Sequence, residues 1–189
     1  VTAVDFSGEV KTLTTPFGQH KARSVIVATG ARPRKMGLAG EERLAGRVVS
    51  YWATCAGNIF RGKIVCVLGG GITASADAKY LARICERVYL VHRRDTLRAS
   101  AIDRERLSSL TNVEFVWNSR IADLHSEEGR LAAVEVEDVA TGARRTLPVE
   151  GLFVAIGTIP NADFLEGVLP VDKGGYIVAD ESGATSVPG

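Results

Sequence analysis

The alternation of apolar and polar residues along the chain predicts a series of short strands and helices. Its centre is residues 64–68, an unbroken apolar run typical of a parallel strand that is covered on both faces. Residues 73–85 then carry apolar side chains at spacings of three and four without a proline, which predicts a helix. An apolar strand over 87–91 completes a strand, helix, strand unit.

The segments around this unit are also strand-like. We predict an antiparallel hairpin over 1–15, a helix over 102–110, a third strand over 113–117, an antiparallel meander over 121–149 and a short strand over 174–178. The predicted fold is therefore α/β and Rossmann-like, with a parallel sheet of about four strands, helices on its faces and an antiparallel ribbon.

Two flanking segments repeat one pattern. Residues 25–33 read VIVATGARP, the end of an apolar strand predicted over 21–30, and residues 152–160 read LFVAIGTIP. Both are apolar strands that end in Val-Ala-x-Gly and then reach a proline. We predict that the two flanks belong together in the fold; the alternative is a coincidence between two buried strands.

Composition narrows the class of protein. With 46% apolar residues, 24% charged residues and a net charge of +1, the chain is typical of a soluble globular protein and offers no basic surface for nucleic acid. It shows no membrane-length apolar run and no signal peptide. Three cysteines predict neither a disulfide framework nor a metal site, so we expect a reducing cytoplasm. Because the chain starts at Val1 and stops at Gly189 without a closing element, we expect a cut chain.

A glycine fingerprint follows the central strand. Gly69, Gly71 and Ala74 fit the spacing G-x-G-x-x-[GA] of dinucleotide-binding proteins. In that pattern the first glycine permits a tight turn, the second lets a pyrophosphate approach the backbone, and the third small residue lets helix and strand pack closely. The order strand, glycines, helix, strand therefore predicts nucleotide binding.

The end of the second strand indicates which nucleotide. Sites for NAD usually place Asp or Glu near this point to hold the ribose 2′-hydroxyl, whereas this chain has His92, Arg93 and Arg94. Guanidinium groups bind a phosphate well, so the residues favour NADPH. The alternative is that the glycines form a turn that binds no ligand and that the arginines are solvated at the end of a strand. It does not explain why strand, glycines, helix, strand and arginines follow one another in this order.

These segments resemble the low-molecular-weight bacterial thioredoxin reductases over nearly the whole chain. The resemblance rests on GGGITASADA, VHRRDTLRAS, WATCAG, FVAIGTIPN and GYIVADESGATSVPG. It implies a flavoprotein in which an NADPH domain, here 35–150, is inserted into an FAD domain whose two segments are 1–34 and 151–189. It also implies a homodimeric parent with thioredoxin as partner. The crossing strands between the domains would be the repeated flanks, and this chain alone would bind FAD poorly and be inactive.

The resemblance also assigns nucleotide-binding residues by position. They are Gly69, Gly70, Gly71, Ile72 and Thr73 for the pyrophosphate, His92, Arg93, Arg94 and Arg98 for the 2′-phosphate, and Ile156 and Gly157 beside the nucleotide. The family usually has an acidic residue where Ile72 stands and Glu where Ala76 stands. Contacts near the nicotinamide are therefore expected to differ.

The redox site departs further from the family. In the family, reduced flavin reduces a Cys-Ala-Thr-Cys disulfide of the enzyme to two thiols. One thiol then attacks a substrate disulfide, and the second resolves the mixed disulfide that forms. This chain has Trp52 at the first cysteine position and Ala56 where the family has an Asp, so only Cys55 remains. We therefore expect no ordinary dithiol turnover. Cys55 is either a residual redox cysteine or a small buried apolar residue, and Trp52 could fill the vacated volume near the flavin.

Three functional hypotheses remain open. The first is an NADPH- and FAD-dependent oxidoreductase whose acceptor is thioredoxin or a replacement such as ferredoxin, flavodoxin, a quinone or oxygen. The second is a thioredoxin reductase altered at residue 52, and the third is a module that senses NADPH without turnover. His20 and His125 lie in polar segments and are expected to be solvated.

Overall fold

The computed structural model describes residues 1–189 and divides them into two compact units. The central unit is Lys35–Gly157, and the flanking unit combines Val1–Arg34 with Thr158–Gly189. The sequence places the second boundary at residue 151, whereas the structure keeps 151–157 in the central unit. No helix is long and apolar enough to cross a bilayer.

Thirteen strands and four α-helices make up the regular structure. The strands are β1 (Ala3–Asp5), β2 (Lys11–Thr15), β3 (Gly18–Ala22), β4 (Ala31–Pro33), β5 (Val49–Ser50), β6 (Ile64–Leu68), β7 (Arg87–Val91), β8 (Val113–Val116), β9 (Ser119–Glu127), β10 (Arg130–Asp138), β11 (Arg144–Pro148), β12 (Gly151–Val154) and β13 (Thr158–Pro160). The α-helices are α1 (Glu41–Leu44), α2 (Ala53–Ala56), α3 (Ile72–Leu81) and α4 (Ala101–Ser108), with 3-10 turns at Gly57–Phe60 and Asp163–Leu165.

The central unit is built on a parallel sheet in the order β5-β12-β6-β7-β8. Alternate residues of β6 enter two apolar clusters. Val65 and Val67 pack with α3 and α4, and Cys66 packs with the strands of the meander, so all three side chains are fully buried. Burial on both faces explains the unbroken apolar sequence of this strand. The sheet has five strands rather than about four, because the two-residue β5 joins its edge.

The predicted meander is confirmed as the antiparallel sheet β11-β10-β9. Its inward residues, among them Ile121, Val134 and Leu147, belong to the same apolar cluster as Cys66. Its polar side carries ion pairs in which Glu137 accepts from Arg120 and Arg144. The alternating sequence therefore reflects one buried and one solvated face.

The flanking unit contains the antiparallel sheet β1-β2-β3, which confirms the hairpin, and the two-stranded ribbon β4-β13. In that ribbon Ala31 pairs with Pro160, and Pro33 pairs with Thr158. The ends of the two repeated flanks thus lie side by side, as their shared pattern predicts.

Three sequence predictions need correction. The strand expected over 21–30 is not formed after Ala22, since no neighbouring strand pairs with residues 24–30, and Ile26 is 92% exposed. The strand over 174–178 is reduced to one bridge between Val171 and Ile177. Helix α3 begins at Ile72 and ends at Leu81 rather than Cys85, because its last turn continues as i to i−3 hydrogen bonds.

Candidate functional site

Three neighbouring parallel strands end at the same level and place three loops side by side. Val154 of β12 is in register with Leu68 of β6, and Leu68 is in register with Val91 of β7. The loops that follow are 69–71, 92–98 and 155–157. In open α/β sheets ligands bind outside the carboxyl ends of the strands, so this edge is the candidate site.

Two glycines of the fingerprint are required by packing. A Cβ on Gly69 would collide with the Ala155 carbonyl oxygen and lie 2.9 Å from the Ala74 Cβ, and Gly69 also has a φ of 148°. A Cβ on Gly70 would collide with the imidazole ring of His92. Loops 69–71, 92–98 and 155–157 are therefore in direct contact at positions that admit no side chain.

Gly71 has a different environment. It is the N-cap residue of α3, its φ is −93°, and a Cβ there would meet only Arg98 Nη2 at 3.8 Å. The Ser75 N–H and hydroxyl both donate to the Gly71 carbonyl oxygen at 3.1 Å. The N–H groups of Ile72, Thr73 and Ala74 precede the first intrahelical bond and are free to bind an anion.

His92 links the loops at the strand ends. Its N–H donates to the Val116 carbonyl oxygen at 3.0 Å, and its ring is 6% exposed against Gly70. Nε2 of this ring is buried without a hydrogen-bond partner. Burial, followed by the charges of Arg98, Arg93 and Arg94, lowers the pKa of His92 and so favours the neutral ring.

The three arginines form an exposed cationic group beside the glycine loop. Arg93, Arg94 and Arg98 are exposed, and none of them forms an ion pair. The Arg98 N–H donates to the Gly70 carbonyl oxygen at 2.7 Å, which fixes the backbone of the arginine loop to the glycine loop. Such a group of unpaired guanidinium ions is suited to bind a phosphate.

The third loop places Ile156 and Gly157 at the same sheet edge. Ile156 packs against the cluster that contains Cys66, and Gly157 is exposed with a φ of 101°. The Ala155 N–H donates to the Leu68 carbonyl oxygen at 2.8 Å, which extends the sheet register to the start of this loop. All eleven residues assigned to the nucleotide by position thus lie in loops 69–71, 92–98 and 155–157 or at the start of α3.

The residues of the redox motif lie on the short helix α2. Cys55 is exposed, and Trp52, the N-cap residue, is 59% exposed. The Trp52 ring meets the ring of Tyr51 edge-on at a centroid distance of 6.0 Å. Cys55 is therefore not the small buried residue that the sequence left open, and Trp52 does not fill a cavity within the central unit.

A buried carboxylate supports the start of this helix, and sequence reasoning missed it. Glu41 is 1% exposed and accepts from the hydroxyl of Tyr51 at 2.7 Å and from the N–H groups of Met36 and Gly37 at 3.0 and 2.8 Å. Burial, followed by this hydrogen bond, raises the pKa of Tyr51. Glu41 is one of two adjacent Glu residues in a loop-rich segment, and no sequence signal distinguishes it.

Asp77 is a second buried acid that the sequence analysis did not single out. It is 9% exposed, and burial raises its pKa to about 6. It lies three and four residues before Tyr80 and Leu81, whose side chains a Cβ on Gly57 would touch. By helical spacing, Asp77 therefore shares the face of α3 that is turned towards Gly57. The sequence did contain a signal for this buried acid, because Asp77 interrupts the apolar face of the predicted helix.

The other two cysteines cannot act as partners for Cys55. Cys66 is 0% exposed within the sheet, and burial raises its pKa. Cys85 is 6% exposed, its Sγ donates to the Phe60 carbonyl oxygen at 3.3 Å, and burial raises its pKa to about 11. A thiol reacts as the thiolate, so these buried thiols are inert at neutral pH.

The parallel sheet with its glycine turn places the chain in the class of Rossmann-like dinucleotide-binding proteins. A family model described as "Pyridine nucleotide-disulphide oxidoreductase" matches residues 1–189. The chain belongs to this family, and the resemblance seen in the sequence is confirmed.

Similar proteins carry the name thioredoxin reductase. The chain is 45% identical to the protein from Streptomyces coelicolor, over 95% of this chain and 56% of that protein, and 41% identical to the one from Streptomyces clavuligerus, over 100% and 59%. A crystal structure of Lactococcus lactis thioredoxin reductase in the FR conformation matches with a TM-score of 0.90 and 34% identity, over 100% of this chain and 62% of that chain. This chain thus spans about three fifths of the length of its relatives.

Proposed function

We propose that this chain is the nucleotide-binding part of a flavoprotein oxidoreductase, similar to thioredoxin reductase, that passes hydride from NADPH to FAD. The observation that carries the proposal is the set of three unpaired arginines, Arg93, Arg94 and Arg98, beside a glycine turn that excludes side chains. An NAD site usually has a carboxylate directly at the end of this strand, where this chain has His92, Arg93 and Arg94 before Asp95. The residues present therefore fit NADPH.

Each part of the candidate site has a separate task in this proposal. The free N–H groups of Ile72 and Thr73 at the start of α3 would hold the pyrophosphate, and Gly71 leaves room for it. The three arginines would hold the 2′-phosphate, with His92 fixing their loop against Gly70. Ile156 and Gly157 would line the remaining side. Bound NADPH supplies the hydride, and these residues bind and orient it.

The proposal for the later electron transfer differs from the usual disulfide chemistry. Dithiol exchange needs a second thiol three positions before Cys55, where this chain has the exposed Trp52. Ala56 offers no proton donor, and the buried thiols of Cys66 and Cys85 are inert. We therefore propose that the reduced flavin passes its electrons directly to a carrier that accepts them without thiol–disulfide exchange. Thioredoxin, whose disulfide is reduced by exchange, is the acceptor only if another thiol of the whole protein takes the place of residue 52.

Calorimetric titration of NADP and NAD into the protein tests the nucleotide assignment. Hydrogen bonds to charged groups contribute about 1.5 to 3 kcal/mol each, so NADP should bind at least about tenfold more tightly than NAD. The Arg93→Ala, Arg94→Ala double variant should lose that preference, and Arg104→Ala, a change of an exposed arginine on α4, should keep it. Equal affinity for the two nucleotides in the unaltered protein would refute the assignment.

The rival hypothesis, an NADPH sensor without turnover, is favoured by the missing redox thiol. Anaerobic mixing of the flavin-loaded whole protein with NADPH distinguishes the two. Loss of flavin absorbance supports the oxidoreductase, whereas nucleotide binding without bleaching supports the sensor. A thioredoxin reductase altered only at residue 52 predicts bleaching together with recovery of disulfide reduction when Trp52 is replaced by cysteine.

A further inference from the structure

A second cationic site lies on the solvent side of helices α3 and α4. A cleft of about 420 Å³ opens there, lined by Ala76, Lys79, Tyr80, Arg83, Arg106, Ser109 and Leu110. This volume is in the range of pockets that bind small molecules, roughly 300 to 1,000 Å³. None of these residues belongs to the glycine loop, the arginine loop or the redox helix.

The walls of the cleft carry positive charge. Lys79, Arg83 and Arg106 line it, and no carboxylate does. Lys79 is paired with Asp103, whereas Arg83 and Arg106 are exposed and form no ion pair. Two guanidinium groups without ion pairs line this cleft, one from the turn after α3 and one from α4, and such a pair can hold a carboxylate or a phosphate between them.

The paired lysine gives the cleft a fixed edge. Asp103 accepts from Lys79 and, at 2.8 Å, from the hydroxyl of Ser100, the N-cap residue of α4. The Asp103 N–H donates to the Ser100 hydroxyl at 3.1 Å. The lysine of α3 is thus tied to the first turn of α4, which holds the two helices at a constant spacing around the cleft.

Part of the cleft lining is apolar. It comprises the exposed Ala76 and the half-buried side chains of Tyr80 and Leu110. The Tyr80 ring is fixed by packing, because a Cβ on Gly57 would collide with its Cε1 atom. Inorganic phosphate would leave these apolar groups uncovered, so the cleft suits an anion that also carries an apolar or aromatic body.

The cleft is separate from the proposed nucleotide site. Lys79 and Tyr80 lie eight and nine residues beyond Gly71, about 12 and 13 Å along a helix, whereas Ala76, five residues beyond it, is the lining residue nearest the glycine loop. The three arginines beside the glycine loop follow β7, whereas Arg83 lies in the turn after α3 and Arg106 lies in α4. One nucleotide phosphate cannot be shared between the two groups of arginines.

From these contacts we propose that the α3–α4 cleft is a binding site for small organic anions, carboxylates or phosphate esters with an apolar body. Arg83 and Arg106 hold the anionic group, and Tyr80 and Leu110 cover the apolar part. The site does not depend on the bound nucleotide, so it stands even if the NADPH assignment fails.

The test uses phenyl phosphate as the probe in the intact protein saturated with NADP, with binding located by hydrogen exchange and measured by calorimetry. Phenyl phosphate should slow exchange in segments 76–83 and 106–110. The Arg83→Gln, Arg106→Gln double variant should bind it at least about tenfold more weakly, since charged hydrogen bonds are lost. Arg104→Gln, a change of an exposed arginine of α4 outside the cleft, should leave the affinity unchanged.

Two comparison ligands complete the experiment. Benzyl alcohol, which lacks the anion, and inorganic phosphate, which lacks the ring, should each bind more weakly than phenyl phosphate. The proposal would be overturned by any of three results. The double variant could bind phenyl phosphate with unchanged affinity, phenyl phosphate could slow hydrogen exchange only in segment 92–98, or inorganic phosphate could bind as tightly as phenyl phosphate. Loss of NADP binding in the Arg93→Ala, Arg94→Ala variant with phenyl phosphate binding intact would support two separate sites.

Discussion

The glycine turn at 69–71 and the helix start at 52–56 are both family signatures, yet they lie in opposite environments. At Gly69 and Gly70 an added Cβ would enter the Ala155 carbonyl oxygen or the ring of His92. At Trp52 and Cys55 the side chains face solvent. The first signature is therefore required by packing, whereas the second is required only by chemistry.

This difference bears on the proposal that this chain has no redox pair. The hydrogen bond between Tyr51 and Glu41 holds the start of α2, and the exposed Trp52 side chain takes no part in the packing of the sheet. Replacing a glycine of the turn would break contacts among three loops. The fold therefore does not need a cysteine pair at 52–55, and four predictions examine this contrast.

The largest effect is expected for Gly69→Ala. The new Cβ would meet the Ala155 backbone and the Ala74 Cβ, and neither of these can rotate away. We expect the free energy of unfolding in urea to fall by about 3 kcal/mol or more, through overpacking and backbone strain. Gly129→Ala is the matched control: its φ of 78° is also unfavourable, but a Cβ there meets nothing within 4 Å, so about 1 kcal/mol is expected. Equal losses would refute the packing argument.

Gly71→Ala should separate folding from binding. Its φ of −93° is open to alanine and only Arg98 approaches a Cβ, at 3.8 Å, so the free energy of unfolding should fall by no more than about 1 kcal/mol, the cost of a poorer N-cap residue. The methyl group would occupy the space proposed for the pyrophosphate, so calorimetry should show NADP binding weakened about tenfold or more. An unchanged dissociation constant would mean that the pyrophosphate lies elsewhere.

The central fold could be predicted from sequence because its signals are local. Strands β6 and β7 begin and end at the residues that the apolar runs indicate, since each is buried on both faces. The loops that follow adjacent parallel strands lie next to one another at the carboxyl edge of the sheet. The candidate site residues, which are in these loops, therefore lie at one edge.

Other features depend on partners that the local sequence does not specify. Residues 25–29 are as apolar as β12, but only β12 has neighbouring strands to pair with, and Ile26 is exposed. The burial of Glu41 depends on loop 36–38 folding back over it. The α3–α4 cleft depends on the spacing of two helices, and its arginines look like ordinary surface residues in the sequence.

Asp77 lies on α3, the helix that follows the glycine turn, and predicts a moderate pH effect. Its pKa is raised from the unfolded value near 4 to about 6, so the folded state holds an extra proton between these values. Stability from this group is therefore present below pH 4 and is lost as the pH rises to 6. We expect Asp77→Asn to stabilise the protein by about 1 kcal/mol at pH 7.5, with no gain at pH 4.

The measurement is urea unfolding at both pH values. Asp95→Asn is the control, because Asp95 is exposed and lies outside the helix. A gain of equal size at both pH values would show that Asp77→Asn acts through packing or helix propensity and not through the buried charge.

The smallest effect on stability is expected where the chemistry changes most. Trp52→Cys with Ala56→Asp adds a second thiol beside Cys55 and an acid at the start of α2, and the exposure of Trp52 predicts a change of less than about 0.5 kcal/mol in the free energy of unfolding. In the flavin-loaded whole protein we expect NADPH-dependent reduction of a disulfide substrate to appear, because paired thiols at a helix start provide an attacking thiolate and a resolving thiol.

Trp52→Ser with Ala56→Asp removes the same ring without adding a thiol and should stay inactive. Activity in this serine control, or a loss of several kcal/mol in the cysteine variant, would show that Trp52 is part of the fold and not a replaced redox residue.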